Sequence, residues 1–273
     1  MKSVHLLTVL LFLLLTFQFA CHSHNDSAAE TVVRKYFLEK DFPDKLNYLT
    51  GEYLNLYADA AHFGADLPPG VSGSVYSIYQ DSTSSVYAVT MVDSTHSEDL
   101  YCYLKKEDGK WKIDAMRGLA LPGFYWTMVD SYRGKEDSLS GFELATYYNM
   151  ELTTRSDSAL CQYLVENESR FRELVEKMSG LPDGLMLGAA YRQDEQAQYD
   201  TVGIVDSIKA LHLNVAGKSP RFEGVYDFNI GGIMDNSVGY FYSADPTRLP
   251  EISKNKYILI RHIKGNWYLY KTT

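Results

Sequence analysis

Apolar residues recur along this chain first at helical and then at strand spacing, and the cycle runs twice. Ser27-Ala28-Ala29-Glu30 has the form of a capping box, in which the serine takes an amide three residues on and the glutamate reaches back. Behind it Val33 and Phe37, and Val32 and Tyr36, recur at i and i+4, which predicts a helix that Phe42-Pro43 ends, because proline disfavours helix in the residue before it. Pro43 opens a second helix over 44–49, and 52–62 continues with Leu54, Tyr57 and Ala61 on one stripe, until Pro68-Pro69-Gly70 closes the region. From Ser74 the pattern turns to β: 75–80, 84–92, 100–106 and 110–116 are rich in Val, Ile, Tyr and Thr and are separated by turn clusters. Glu107-Asp108-Gly109 joins the last two strands as a hairpin, with glycine available for positive φ.

The second cycle predicts helices over 123–132, 142–152 and 157–178. Ser156 is the N-cap of the third, and Phe171, Leu174, Val175 and Met178 form its stripe. A Gly/Gln/Asp-rich stretch, 179–200, reads as loop, and strands return at 222–230, 238–243, 256–263 and 267–271. Lys264-Gly265-Asn266-Trp267 closes a hairpin much as Asp108-Gly109-Lys110-Trp111 does, which suggests duplication; convergence of two short hairpins is the alternative.

AETVVRKYFLEKDFPDKLNYL at the front and YCYLKKEDGKWKIDAM at the back make residues 28–118 resemble the nuclear transport factor 2-like (NTF2-like) superfamily. That resemblance implies a cone of curved antiparallel sheet wrapped over N-terminal helices. LTTRSDSALCQYLVENESRFRELV with the terminal hairpin resembles a group of uncharacterised bacterial proteins, which implies no activity. The expected fold class is α+β in two modules, 28–120 and 121–273, each with N-terminal helices and then a curved antiparallel sheet of about four strands. Short glycine turns cannot support parallel crossovers.

Composition changes the picture chiefly at the N-terminus. The apolar run Val4 to Phe17 follows Lys2 and leads to Ala20-Cys21, after which the chain turns polar at once. The segment resembles a bacterial lipoprotein signal, although Gln18 and Phe19 depart from the usual box before the cysteine. The resemblance implies cleavage after residue 20, lipidation of Cys21, palmitate among the acyl chains, and a cell-envelope location, the outer membrane first, with residues 21–27 as tether. An uncleaved anchor helix is the other reading of the run. Removing Lys2 with the signal takes the formal charge from −9 to −10. So acidic a body lacks the basic footprint that nucleic acid requires, and the partners left are the membrane, through acyl chains, and an envelope protein or small-molecule ligand. Cys102 and Cys161, in different halves, read as two buried thiols, with a disulfide between them in an oxidising compartment as the alternative.

No motif specifies a reaction, and no cofactor or metal is implied. Gly70-Val71-Ser72-Gly73-Ser74 resembles a nucleophile elbow but runs from a Pro-Pro-Gly loop into a strand, where an elbow runs from strand into helix. His22 and His24 with Asp26 lie on a tether that cannot preorganise a metal site. His96 reads as a hairpin-loop residue, and His212 and His262 as strand residues. His62 differs: in the NTF2-like superfamily this region faces the mouth of the cone, where isomerases and cyclases use Asp or His as general acid/base. Asp59 stands three residues earlier on the same expected helix face. Tyrosine is abundant, at 22 residues, and alternating Tyr101 and Tyr103, and Tyr268 and Tyr270, read as sheet packing. The reading that follows is a non-enzymatic binding or interaction module, with an isomerase- or cyclase-like enzyme using Asp59 and His62 as the alternative.

Overall fold

The computed structural model describes residues 27–189, 198–200 and 202–273. The segment expected to be a lipoprotein signal, Cys21, and the His22, His24 and Asp26 group lie outside them. Within them the chain is α+β, with seven α-helices and two antiparallel sheets of four and six strands.

Helix α1 (Ala28–Leu38) starts where Ser27 Oγ accepts the Glu30 N–H at 3.1 Å. The reciprocal half of the capping box is not formed, because Arg34 takes the Glu30 carboxylate at 2.7 Å. Its stripe buries Val32, Val33, Tyr36 and Phe37, each worth about 1.5–3 kcal/mol in removed apolar surface. A 3₁₀ turn (Lys45–Tyr48) and the short helix α2 (Gly51–Tyr57) complete this layer. It lies on one face of a meander of β1 (Ser72–Gln80), β2 (Ser84–Val92), β3 (Ser97–Glu107) and β4 (Lys110–Gly118). Asp108 and Gly109 both take positive φ, 51° and 75°, as a two-residue hairpin turn of matching twist requires. Bulges at Ser77/Tyr79 and Tyr103/Leu104 bend the strands.

Helices α3 (Phe124–Tyr132), α4 (Gly141–Thr153), α5 (Asp157–Glu166) and α6 (Glu168–Met178) follow. The expected single helix over 157–178 is broken at Asn167, whose side-chain amide donates to the Tyr163 carbonyl at 2.9 Å and closes α5. Ser156 caps α5 as expected. The second sheet holds β5 (Met186–Gly188), β6 (Val215–Lys218), β7 (Tyr226–Ile233), β8 (Asn236–Tyr242), β9 (Tyr257–Lys264) and β10 (Trp267–Thr272), with helix α7 (Ile204–Ala210) between β5 and β6. Its order, β5-β6-β7-β8-β10-β9, corrects the expectation of four strands, since β5 and β6 are too short to leave a period-2 signature. It also differs from the N-terminal meander.

The boundary at 120/121 is a change of sheet and not a break in the core. One continuous core takes Val86, Ala88, Tyr101, Tyr103 and Ala115 from the first sheet together with Leu160, Phe171, Phe228 and Trp267 from the second half. The first sheet is therefore covered on both faces, by α1 and α2 on one and by the C-terminal half on the other. At the junction sits a buried charge network. Lys271 Nζ donates to Asp157 Oδ1 at 2.8 Å and to Asp99 Oδ2 at 3.4 Å, with the three side chains 4%, 0% and 0% exposed. Tyr101 and Tyr76 donate to the two oxygens of Asp157, Thr90 donates to Asp99, and Arg261 stacks on Tyr76 at 4.6 Å. Burial raises Asp99, whereas at Asp157 burial is outweighed by the ammonium and three side-chain hydrogen bonds, and its carboxyl is lowered. Lys271, despite its burial, is held charged by the two carboxylates. Tyr103 OH donates to the Ile258 carbonyl and Arg117 Nε to that of Lys254, so the halves are tied at separate points.

Candidate functional site

The second sheet buries Phe228, Val238, Tyr240 and Leu269 against the helices and turns Asp227, Asn229, Ser237, Tyr270 and Thr272 to the other face. There a trough of about 570 Å³ crosses the sheet from Met186 on β5 to Tyr257 on β9. Its floor is opened by glycine. Gly217 pairs with Asp227 and Gly239 with Asn229, so each polar residue is free of a side chain on one neighbouring strand, while Phe241 and Val215 flank them on the other. Gly239 also pairs with Tyr270, whose ring crosses over it to reach β7. A Cβ at Gly239 would meet the Phe228 carbonyl oxygen at 2.4 Å and the Tyr270 hydroxyl at 2.7 Å. Gly239→Ala should therefore destabilise the fold by about 1–3 kcal/mol and displace Tyr270 from its partners. Chemical denaturation and the near-ultraviolet tyrosine signal check this.

Tyr270 OH donates to Asp227 Oδ1 at 2.9 Å and accepts from Asn229 Nδ2 at 3.4 Å. Among the described residues no hydrogen bond is made to Asp227 Oδ2, and the residue lines the trough. Burial pushes the Asp227 carboxyl up to about 6, against the lowering effects of the Tyr270 hydroxyl and the Arg221 guanidinium. Arg221 and Lys256 line the same trough and gather at Tyr257: the guanidinium is 3.5 Å from its hydroxyl, the ammonium 5.8 Å from its ring centre. Among the described residues neither makes an ion pair with a carboxylate. The arrangement is a desolvated carboxylate in a trough that also carries Arg221, whose charge acts on it, and Lys256. A carboxyl with a perturbed pKa in a cavity is the physical signature of a binding or acid–base site.

A cleft of about 670 Å³ between the halves is larger, and its two lysines, Lys105 and Lys254, both sit on Asp114, at 3.2 Å and 2.8 Å.

The sequence-based candidates are placed elsewhere. Helix α2 stops at Tyr57, so Asp59 and His62 share no helix face. Asp59 is exposed, and His62, 6% exposed, is turned inward. Its Nε2 lies 2.8 Å from the Glu39 carbonyl oxygen, and its ring packs between Tyr36 and Phe42. The chain is drawn off the helical path because the 3₁₀ turn Phe63–Asp66 docks on the end of α1, where Gly64 admits the Glu39 backbone. Neither residue lines the cavities described above. His96 is in a hairpin loop, His262 is on β9, and His212, expected in a strand, sits in a turn at φ 53°. Cys102 and Cys161 are free, the first buried and the second half-buried. Among the described residues no group of three or more His, Cys, Asp or Glu is placed to hold a metal, and no helix is long and apolar enough to cross a membrane.

Asp227 and Tyr270 were not singled out by sequence because each fits a bland pattern, the outward polar residue of YDFNI and the packing tyrosine of WYLYK. A usable signal was the pair of strand-interior glycines, Gly217 and Gly239, which marks a close approach. No family model, curated protein or solved structure matches this chain.

Proposed function

We propose that this protein is a cell-envelope lipoprotein that acts as a non-enzymatic binding module, taking a small ligand in the trough around Asp227. The observation that carries the reading is the desolvated Asp227 carboxylate, held by Tyr270 and lining a trough beside Gly217. The N-terminal half, NTF2-like by its sequence, is the supporting module of the pair in this reading. The isomerase- or cyclase-like alternative is set aside, because it needs Asp59 and His62 in one enclosed pocket and His62 spends Nε2 on a backbone carbonyl.

The anchor follows from the Ala20-Cys21 boundary. Mass spectrometry of the purified protein should find a mature N-terminus at Cys21 carrying acyl chains, and Cys21→Ser should abolish the modification; an unmodified N-terminus ends the lipoprotein reading. Ligand binding is tested by a thermal-shift screen of small polar molecules on the full protein in detergent, beside Asp227→Asn. Compounds that stabilise the wild type and not the variant are expected. A screen in which the two respond alike removes Asp227, and the proposal with it.

A further inference from the structure

We propose that the free edge of β1 is a contact between two copies of this chain, each laying Ser72–Ser77 antiparallel against the same segment of the other about a twofold axis.

A sheet edge exposes a row of unpaired N–H and C=O groups, and proteins that stay single blunt it with charge, proline, brevity or cover. The edges here are β1 and β4 of the first sheet and β5 and β9 of the second, and three of the four are blunted. β5 is three residues long. β9 carries Arg261, His262 and Lys264, and its Tyr257 and Ile258 carbonyls are taken by the Ser253 amide and the Tyr103 hydroxyl. β4 carries Lys110, Lys112, Asp114 and Arg117, and it is covered where Thr50 donates to the Ile113 carbonyl at 2.9 Å. β1 has none of these devices. Its nine residues, SGSVYSIYQ, include no charge and no proline, and among the described residues no backbone hydrogen bond of β1 runs to anything but β2.

The strand is also accessible. Ser72, Ser74, Ser77, Tyr79 and Gln80 are exposed, and β9 meets β1 through a side chain, Arg261 on the ring of Tyr76. The bulge at Ser77/Tyr79 bends the strand beyond Ser77, which leaves Ser72–Ser77 as the part straight enough to pair.

The lack of charge selects the occupant. Two copies of one strand set like residues near one another, and like charges in facing positions repel. β4 or β9 laid on itself would bring cations together, whereas β1 laid on itself brings serine, glycine, valine and tyrosine. The pairing closes, because a twofold axis perpendicular to the sheet keeps the side chains of both copies on matching faces and sets one residue of the segment opposite its own copy. The two four-stranded sheets then continue as one, with both uncharged edges inside it. At a formal charge of −9 the two bodies repel while the contact itself is neutral, so added salt should strengthen the association.

Sedimentation equilibrium of the full protein in density-matched detergent, over a dilution series, tests the pairing. Ser74 is exposed near the middle of the straight segment, so Ser74→Lys leaves the core untouched, and circular dichroism checks the fold. The wild type should show a monomer–dimer equilibrium that tightens as salt is raised. Ser74→Lys should weaken it by about tenfold or more, and Ser74→Thr should leave it unchanged. Ser77→Lys should act as Ser74→Lys does and serves in its place if that variant misfolds. In membranes, Ser74→Cys treated with a short bifunctional thiol reagent should give a product of twice the chain mass that the wild type does not. A wild type that stays monomeric throughout the series overturns the proposal, as does a dimer that neither lysine weakens. A Ser74→Cys product containing a different polypeptide overturns it too, since β1 would then receive a partner's strand and not a second copy.

Discussion

Lys271→Met is expected to destabilise the protein by about 3–5 kcal/mol at pH 7, the largest loss we foresee for a single side chain. The substitution keeps the stem and removes the charge, so Asp99 and Asp157, both closed to solvent, face each other with only neutral donors left. At least one carboxyl must then titrate far above its unfolded value. The folded state binds more protons than the unfolded one over that interval, so the stability of the variant rises as pH falls from 7 towards 4. Urea denaturation at pH 7 and pH 5 reads both effects. Adding Asp99→Asn, which removes one of the two charges, should recover part of the loss. A deficit below about 1 kcal/mol would mean that water reaches the network and screens it.

The second large effect has the opposite sign. Asp227→Asn should make the protein more stable by up to about 3 kcal/mol at pH 7.5, while ligand binding is lost. The folded carboxyl titrates at about 6 against an ordinary value of 3.8, so the wild type loses stability as pH rises from about 4 to 6 and carries the full penalty above that. The groups that face it are Tyr270, which donates to it, Asn229 behind that hydroxyl, and Arg221 across the trough; none titrates between pH 4 and 7.5. The gain from the amide should therefore shrink as pH falls from 6 towards 4 and vanish below about pH 3, where Asp227 is protonated in both states. Equal stabilities across the whole range would show that the carboxylate is well solvated. A residue that weakens the fold and is kept at a cavity floor is the usual trade between stability and binding.

Periodicity read the regular parts of this fold well. The strands expected at 84–92 and 110–116 are β2 and most of β4, and Ser156 caps α5 as its spacing implied. What was missed depends on tertiary contact. Helix α2 ends five residues early because Gly64 and His62 dock on the end of α1. The three-residue β5 and four-residue β6 are strands only by pairing with their neighbours. The site was hidden for a related reason: Asp227, Tyr270, Arg221 and Lys256 come together through a sheet order in which β10 enters between β8 and β9, and linear spacing carries no trace of that insertion.

That insertion also sets the order in which the molecule can assemble. Strand β10 is among the last segments of the sequence, yet it lies inside its sheet, carries Trp267 into the shared core and brings Lys271 to Asp99, 172 residues upstream. Arg261 on β9 likewise reaches back 185 residues to Tyr76. Loops of this length must close before either contact returns any energy, so folding should be slow and dominated by a late step in which β10 is captured. Until that step β8 and β9 have no strand between them, and two hydrogen-bonding edges stand open to the wrong partner.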